Sequence, residues 1–227
     1  MKVSAVMPTR GRQEYAKQAV EVFLSQTYAD KELVILDDGD EPSFPGGMET
    51  FDDPFDDRIR YYCGSVTLRY QIPAKRNMVN KLAQGEIIWH LDSDDWSAPT
   101  RMADQVARLQ ETGKAVTGYH DLLFYRESDG AAFEYHSSRA WACGSSLCYL
   151  KSFWQLNHFP ENKATGSDNH FVRAARDAGE LDAIPGGQNL VARIHADNTS
   201  KKERLGPEYR PIEPTRIPHG FAGHVLA

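Results

Sequence analysis

The chain has 227 residues, 41% of them hydrophobic, with 10 Tyr, 10 Phe and 4 Trp. That is enough for one large α/β domain or two small ones, and it argues against global disorder. The formal net charge of −6 speaks against nonspecific nucleic-acid binding by the domain as a whole.

Residues 2–7, KVSAVM, form a short apolar run ending at PTRGR, a strand followed by a turn. In QEYAKQAVEVFLSQ, Ala16, Ala19, Val20, Phe23 and Leu24 recur at the spacing of one helix face. ELVILDDGD reads as a second strand ending in acids and a glycine, and RIRYY, residues 58–62, as a third. PAKRNMVNKLAQG predicts a helix with Pro73 near its start and Gly85 past its end. EIIWHL is a fourth strand, and APTRMADQVARLQETG the helix after it, closed by Gly113. Near-continuous apolar strands alternating with helices predict a parallel sheet covered by helices, with ligands beyond the carboxyl ends of the strands. The loops PTRGR, LDDGD and LDSDDW should therefore meet on one rim.

The second half is less regular. Two strand-like runs flank the turn Ser128-Asp129-Gly130, and WACGSSLCYLKSFWQLN suggests a turn, a short strand and a short helix. SDNHFVRAARDAGE is a helix with Phe171, Val172, Ala175 and Ala178 on one side, and NLVARIH a last strand. A domain over residues 1–199 is expected to give way at Ser200 to a polar, Pro-rich surface tail carrying Lys201, Lys202, Arg204, Arg210 and Arg216. That tail would fold over an anionic ligand or meet an acidic partner.

Cys63, Cys143 and Cys148 are an odd set without metal-ligand spacing, which fits a reduced, cytoplasmic compartment and no zinc site. The apolar run of MKVSAVMPTR is too short for a signal peptide, and no run approaches the roughly 20 apolar residues of a membrane span.

Asp92, Asp94 and Asp95 stand within four positions after a buried strand. Two such charges about 4 Å apart repel by roughly 4 kcal/mol at an effective dielectric near 20. Either the carboxylates splay into water, with one capping the next helix, or a positive group sits between them.

The order strand-PTRGR, strand-DDGD, AKRN helix, strand-DSDD resembles the GT-A fold glycosyltransferases of family 2, over residues 3 to about 200. LDSDD is similar to that family's DxD motif, ATGSDNHF to its acidic motif opening a late helix, and RIHADNTS to its C-terminal His segment. The DxD pattern alone is unspecific; the four motifs in order are what carries the resemblance.

The resemblance implies a Rossmann-like, mostly parallel mixed sheet and an inverting transfer of a sugar from a nucleotide-sugar, a UDP-sugar first, to an acceptor hydroxyl. A Mn²⁺ or Mg²⁺ ion would neutralise the diphosphate leaving group. It implies Asp94 as metal ligand and Asp92 facing the ribose directly or through the ion, with Ser93 between them among the nucleotide-binding residues. Asp95 is left between that role and a helix cap. Pro8, Thr9 and Asp38 would hold the base, whereas Asp37 could form the turn. Lys75 and Arg76 would contact nucleotide, or be a solvated basic face. Arg10 and Arg12 could reach phosphate, but an exposed loop needs charges anyway. His195 reads as a metal ligand or diphosphate contact, helped by Asn198 and Ser200, or as a structural histidine. Trp141, Gly144 and Ser145 would lie beneath donor sugar and acceptor, or be a strand turn with a packed Trp. Asp168 would be the general base, or with Ser167 a cap of its helix.

Two rival classes remain. A nucleotidyltransferase would carry a Gly-rich basic phosphate loop, and MPTRGR has a single glycine. A non-catalytic nucleotide-sugar or Ca²⁺-binding module would not need Asp168 and His195. The acceptor stays open among saccharide, protein, lipid-linked sugar and modified nucleic acid.

Overall fold

β1 (Val3–Thr9) and β2 (Lys31–Asp37) are buried along their whole length, so their apolar residues are continuous rather than alternating. The computed structural model describes residues 1–44, 56–63, 70–163, 166–198 and 205–222. Successive side chains of β1 point to opposite faces. Ala5 and Met7 join the core under α1 (Gln13–Ser25) and α3 (Arg101–Thr112), whereas Val6 joins that under α2 (Ile72–Leu82) and α5 (Ser167–Asp177).

Among the described residues eleven strands form one sheet. Its parallel part sets β1 between β2 and β4 (Ile87–His90), with β3 (Ile59–Cys63) outside β2. β8 (Cys148–Leu150) then runs antiparallel to both β4 and β6 (Val116–Arg126), which restores the direction of β4 in β6. β7 (Ala131–His136) returns from β6 across the Ser128-Asp129-Gly130 turn, with Gly130 at φ 69°. β9 (Leu181–Pro185) and β10 (Leu190–Ile194) both run parallel to β6. β1, β2, β4 and β10 therefore end on the same side of the sheet. The sheet is mixed and mostly parallel in its first half, as expected.

Three differences from the sequence-based expectation have local causes. On α1 the buried face runs through Ala16, Ala19, Val20, Val22 and Phe23, while Leu24 is 37% exposed at the edge of the stripe. β5 (Trp96–Ser97) is two residues long, and β9 is only half-buried with a proline at its end, so neither carries a periodic signal. The third concerns the C-terminus. Ser200, Lys201, Lys202 and Arg204 lie outside the described residues; residues 205–222 lie mostly at the surface but carry regular structure. β11 (Tyr209–Ile212) pairs antiparallel with β7, Tyr209 opposite Tyr135. Phe221, in the single-turn α6 (His219–Ala222), is 1% exposed; its ring lies 5.1 Å from that of Tyr125 and beneath the Arg193 guanidinium. A tail with only a few apolar residues was read as solvated because one buried aromatic does not register in its composition.

Removing a fully buried Phe ring costs about 3–5 kcal/mol. Phe221→Ala should lower stability in a urea titration by that order, as a core substitution does. An unchanged midpoint would show that the C-terminal segment does not dock.

Candidate active site

The ends of β1, β4 and β10, the start of α2, the turn Gly144–Ser146 and the start of α5 surround one cavity of about 430 Å³. Pro8, Arg76, Asp92, Ser93, Asp94 and Asp168 line it, six of the residues singled out in the sequence. Thr9, Asp38, Lys75 and His195 stand behind that lining.

The three carboxylates after β4 are each compensated differently. Asp94 Oδ2 receives Arg12 at 2.5 Å, His195 Nε2 at 2.9 Å and Asn198 Nδ2 at 3.4 Å. Burial opposes its ionisation, but the His195 bond and the Arg12 charge outweigh burial and hold its carboxyl below the ordinary value. Asp92 has Arg76 4.0 Å away, and here burial and the neighbouring Asp94 and Asp168 win, so its carboxyl is pushed up. Asp95 lines the same cavity. It accepts the backbone N–H of Arg193 at 3.2 Å, and burial followed by the charges of Asp94 and Asp92 raises it well above an ordinary carboxyl. It caps no helix: α3 begins at Arg101, with Thr100 in the cap position.

Arg12 was set aside in the sequence as an ordinary loop charge, yet it closes the site. Besides Asp94 it donates to the Asp197 carbonyl, tying the loop after β1 to those after β4 and β10. The signal for it was the need for a cation opposite the acids, which the end of the neighbouring strand β1 supplies to Asp94. His195 is held on every side. Its ring stacks on Tyr15 at 4.7 Å, and Tyr15 donates to Glu127 at 2.6 Å. The Asp197 N–H points at His195 Nδ1 (3.2 Å), which leaves the proton on Nε2, directed at Asp94.

The carbonyls of Gly144, Ser145 and Ser146 are each bound from behind by a buried side chain. His90 Nδ1 donates to the first at 2.9 Å, Arg101 to the second at 3.0 Å and Gln105 Nε2 to the third at 2.7 Å. A directed chain fixes His90: Asn80 donates to the Tyr149 hydroxyl, which donates to His90 Nε2. Burial and then the Arg76 charge keep that imidazole neutral. The turn so fixed seats Asp168. A Cβ on Gly144 would fall 2.1 Å from Asp168 Oδ2, so only glycine allows this approach. Gly166, at φ 71°, holds the cap position of α5, with no side-chain cap bond; neither Asp168 nor Ser167 does that work. Trp141, Gly144 and Ser145 all line the cavity.

A second cluster stands beside the cavity. Asp38 accepts Arg10 twice (3.1 and 2.9 Å), Lys75 at 2.7 Å and the Tyr70 N–H at 2.8 Å. Burial opposes its charge, yet Arg10 and Lys75 bring its carboxyl down to about 2. Lys75 also donates to the Thr9 carbonyl at 2.8 Å. Asp37 is the turn former: it accepts the N–H groups of Gly11, Gly39 and Ser43.

The sequence pattern described as Glycosyl transferase family 2 matches residues 4–176. An uncharacterized glycosyltransferase of Rickettsia felis is 28% identical over 183 residues, 74% of this chain and 29% of that protein. Staphylococcus aureus TarS 1-349, solved in complex with UDP-GlcNAc, matches with a TM-score of 0.70 at 17% identity, covering 92% of this chain and 63% of that one. The mannosyltransferase PcManGT of Pyrobaculum calidifontis, solved with GDP-Man and Mn²⁺, matches at 0.65 and 16%, covering 87% and 58%. The likeness to the two solved proteins is one of fold, and the chain spans less than two thirds of each of the three.

Because burial and the charges of Asp94 and Asp92 raise the Asp95 carboxyl, Asp95→Asn, which keeps an acceptor for the Arg193 N–H, should cost less stability in a urea titration at pH 7 than Asp94→Asn. Asp94→Asn removes the charge that Arg12 faces and should destabilise by about 1–3 kcal/mol. Equal losses in both would contradict the opposite shifts of the two carboxyls. For Asp38 the folded carboxyl lies below the ordinary 3.8. Its stabilisation is complete above that value and disappears as pH falls toward about 2. In acid titrations followed by circular dichroism, Asp38→Asn should start less stable and show a shallower loss across that window.

Proposed function

The chain belongs to glycosyl transferase family 2 and has the GT-A fold, and on that premise we propose that it transfers a sugar from a nucleotide-sugar, preferentially a UDP-sugar, to an acceptor hydroxyl with inversion. The observation that carries this reading is Asp168. It is a carboxylate in the first turn of α5, lining the cavity and close-packed on Gly144, with the Asn169 N–H on its Oδ1 at 3.1 Å. The acceptor oxygen bonds to the anomeric carbon as the bond from that carbon to the diphosphate oxygen breaks. The electron pair leaves with the diphosphate, and Asp168 takes the hydroxyl proton. General base catalysis of this kind contributes about 10²–10⁴-fold. Arg12 and Arg76, both at the cavity wall, supply positive charge for the diphosphate. The TarS complex with UDP-GlcNAc supports a uridine donor, and the GDP-Man complex of PcManGT keeps a guanosine donor as the alternative to test.

Asp94 and His195 would hold the cation. A carboxylate oxygen and an imidazole nitrogen 2.9 Å apart suit Mn²⁺ or Mg²⁺ when phosphate and water complete the shell. Among the described residues no three His, Cys, Asp or Glu side chains gather as a finished cage. To hold the ion, Arg12 would give up Asp94, and His195 would carry its proton on Nδ1 in place of Nε2, giving up the bond from the Asp197 N–H. Such an ion, when bound, neutralises the leaving diphosphate. Among the described residues no helix is long and apolar enough to cross a membrane.

The test is to incubate the protein with UDP-, GDP- and dTDP-hexoses and Mn²⁺ and to quantify the released nucleoside diphosphate. UDP release that EDTA abolishes and Mn²⁺ restores is the expected result; conversion of added pyrophosphate and UDP-hexose to UTP and hexose 1-phosphate would point to nucleotidyl transfer. Asp168→Asn should lose at least about a hundredfold in transfer with donor affinity retained. Gly144→Ala, which pushes Asp168 away, should lose activity in the same manner. Near-parent turnover of Asp168→Asn would remove it as the base.

A further inference from the structure

The cavity has two chemically distinct walls. One holds the carboxylates with Arg12 and Arg76; the other holds Phe124 of β6, Tyr135 of β7 and Tyr209 of β11. The three rings touch: Tyr135 and Tyr209 are 4.9 Å apart, Phe124 and Tyr209 5.1 Å, Phe124 and Tyr135 6.0 Å. Tyr135 and Tyr209 are only half-buried, unlike the core aromatics Phe23, Tyr119 and Phe171, each at most 1% exposed. Cys143 packs against this aromatic group, and the next residue, Gly144, seats Asp168. One step along the backbone thus joins the aromatic wall to the carboxylate.

We propose that Phe124, Tyr135 and Tyr209 form the acceptor subsite and that the acceptor is a saccharide. The inference rests on the transfer reaction proposed above and names its second substrate. A pyranose has a face of C–H bonds and a rim of hydroxyls. The face lies on the aromatic rings, whose negative π surfaces attract polarised C–H groups, and the rim turns one hydroxyl to Asp168 and others to Asn169 and Ser145 at the same cavity. A polyprenyl chain would need a continuous apolar lining, which these polar neighbours interrupt. A charged peptide would find no countercharge among the three rings. The subsite exists only when β11 is paired with β7, because Tyr209 and Tyr135 are direct cross-strand partners.

Saturation-transfer NMR of the full chain with UDP and Mn²⁺ tests this, using maltose, cellobiose, lactose, chitobiose and mannobiose as probes. At least one disaccharide should receive saturation, strongest at the C–H protons of one ring face. Tyr209→Leu, which keeps apolar bulk and loses the π face, should weaken that binding about tenfold, and Tyr209→Phe should restore it. If Tyr209→Leu does not fold, judged by its melting curve, Tyr135→Leu replaces it with the same expectation. A parent that binds UDP but none of the disaccharides overturns this proposal alone, as does a Leu variant with the parent's signal. A parent that binds no UDP overturns the donor reading and this proposal with it.

Discussion

Three half-buried carboxylates crowded at the end of the central strand β4 impose the constraint from which the rest of the site follows. At a separation near 4 Å each pair of ionised acids opposes folding by several kcal/mol, so the structure cannot treat Asp92, Asp94 and Asp95 alike. Asp94 keeps its charge because Arg12 and His195 reach it. Asp95, whose carboxyl burial and its acidic neighbours raise, is a backbone acceptor for β10. Asp92 lies between these extremes, with Arg76 close but not in direct contact. Each solution recruits a different element, which draws the loops after β1 and β10 and the start of α2 onto one rim.

The same economy governs the carboxylate opposite. Asp168 accepts the neighbouring Asn169 N–H and is otherwise positioned from behind: three buried side chains hold three successive carbonyls, and the middle of the site is then a rigid turn with no Cβ at Gly144. Buried polar groups are tolerable only when satisfied, and here the relay from Asn80 through Tyr149 to His90 leaves the imidazole neutral and directed. A site built this way responds to changes well outside the cavity, since Gln105 and Arg101 lie on α3, on the far side of the turn from Asp168.

The C-terminal segment completes the molecule. β11 adds Tyr209 to the cavity wall, and Phe221 packs with Arg193, whose guanidinium lies between Phe221 and Tyr15. Tyr15 in turn stacks on His195. Packing of the last described residues is thereby connected to the histidine at Asp94.

Sequence alone determined the alternation of strands and helices, because continuous apolar strands and 3.6-residue stripes are local patterns, and it determined that acids and basic residues end the strands on one side. It also pointed to many of the cavity-lining residues, Asp92, Asp94, Gly144 and Asp168 among them, and offered a turn role for Asp37, since motifs that close a strand keep their meaning without tertiary context. It did not determine how each of the three acids is compensated, that Arg12 faces Asp94, or that the stretch after residue 204 enters the sheet. Those outcomes depend on distances between segments up to about a hundred residues or more apart, such as Arg12 to Asp197 and Asp94 to His195. Charge compensation and aromatic packing are decided by what stands within a few ångströms, and only the folded chain brings those partners together.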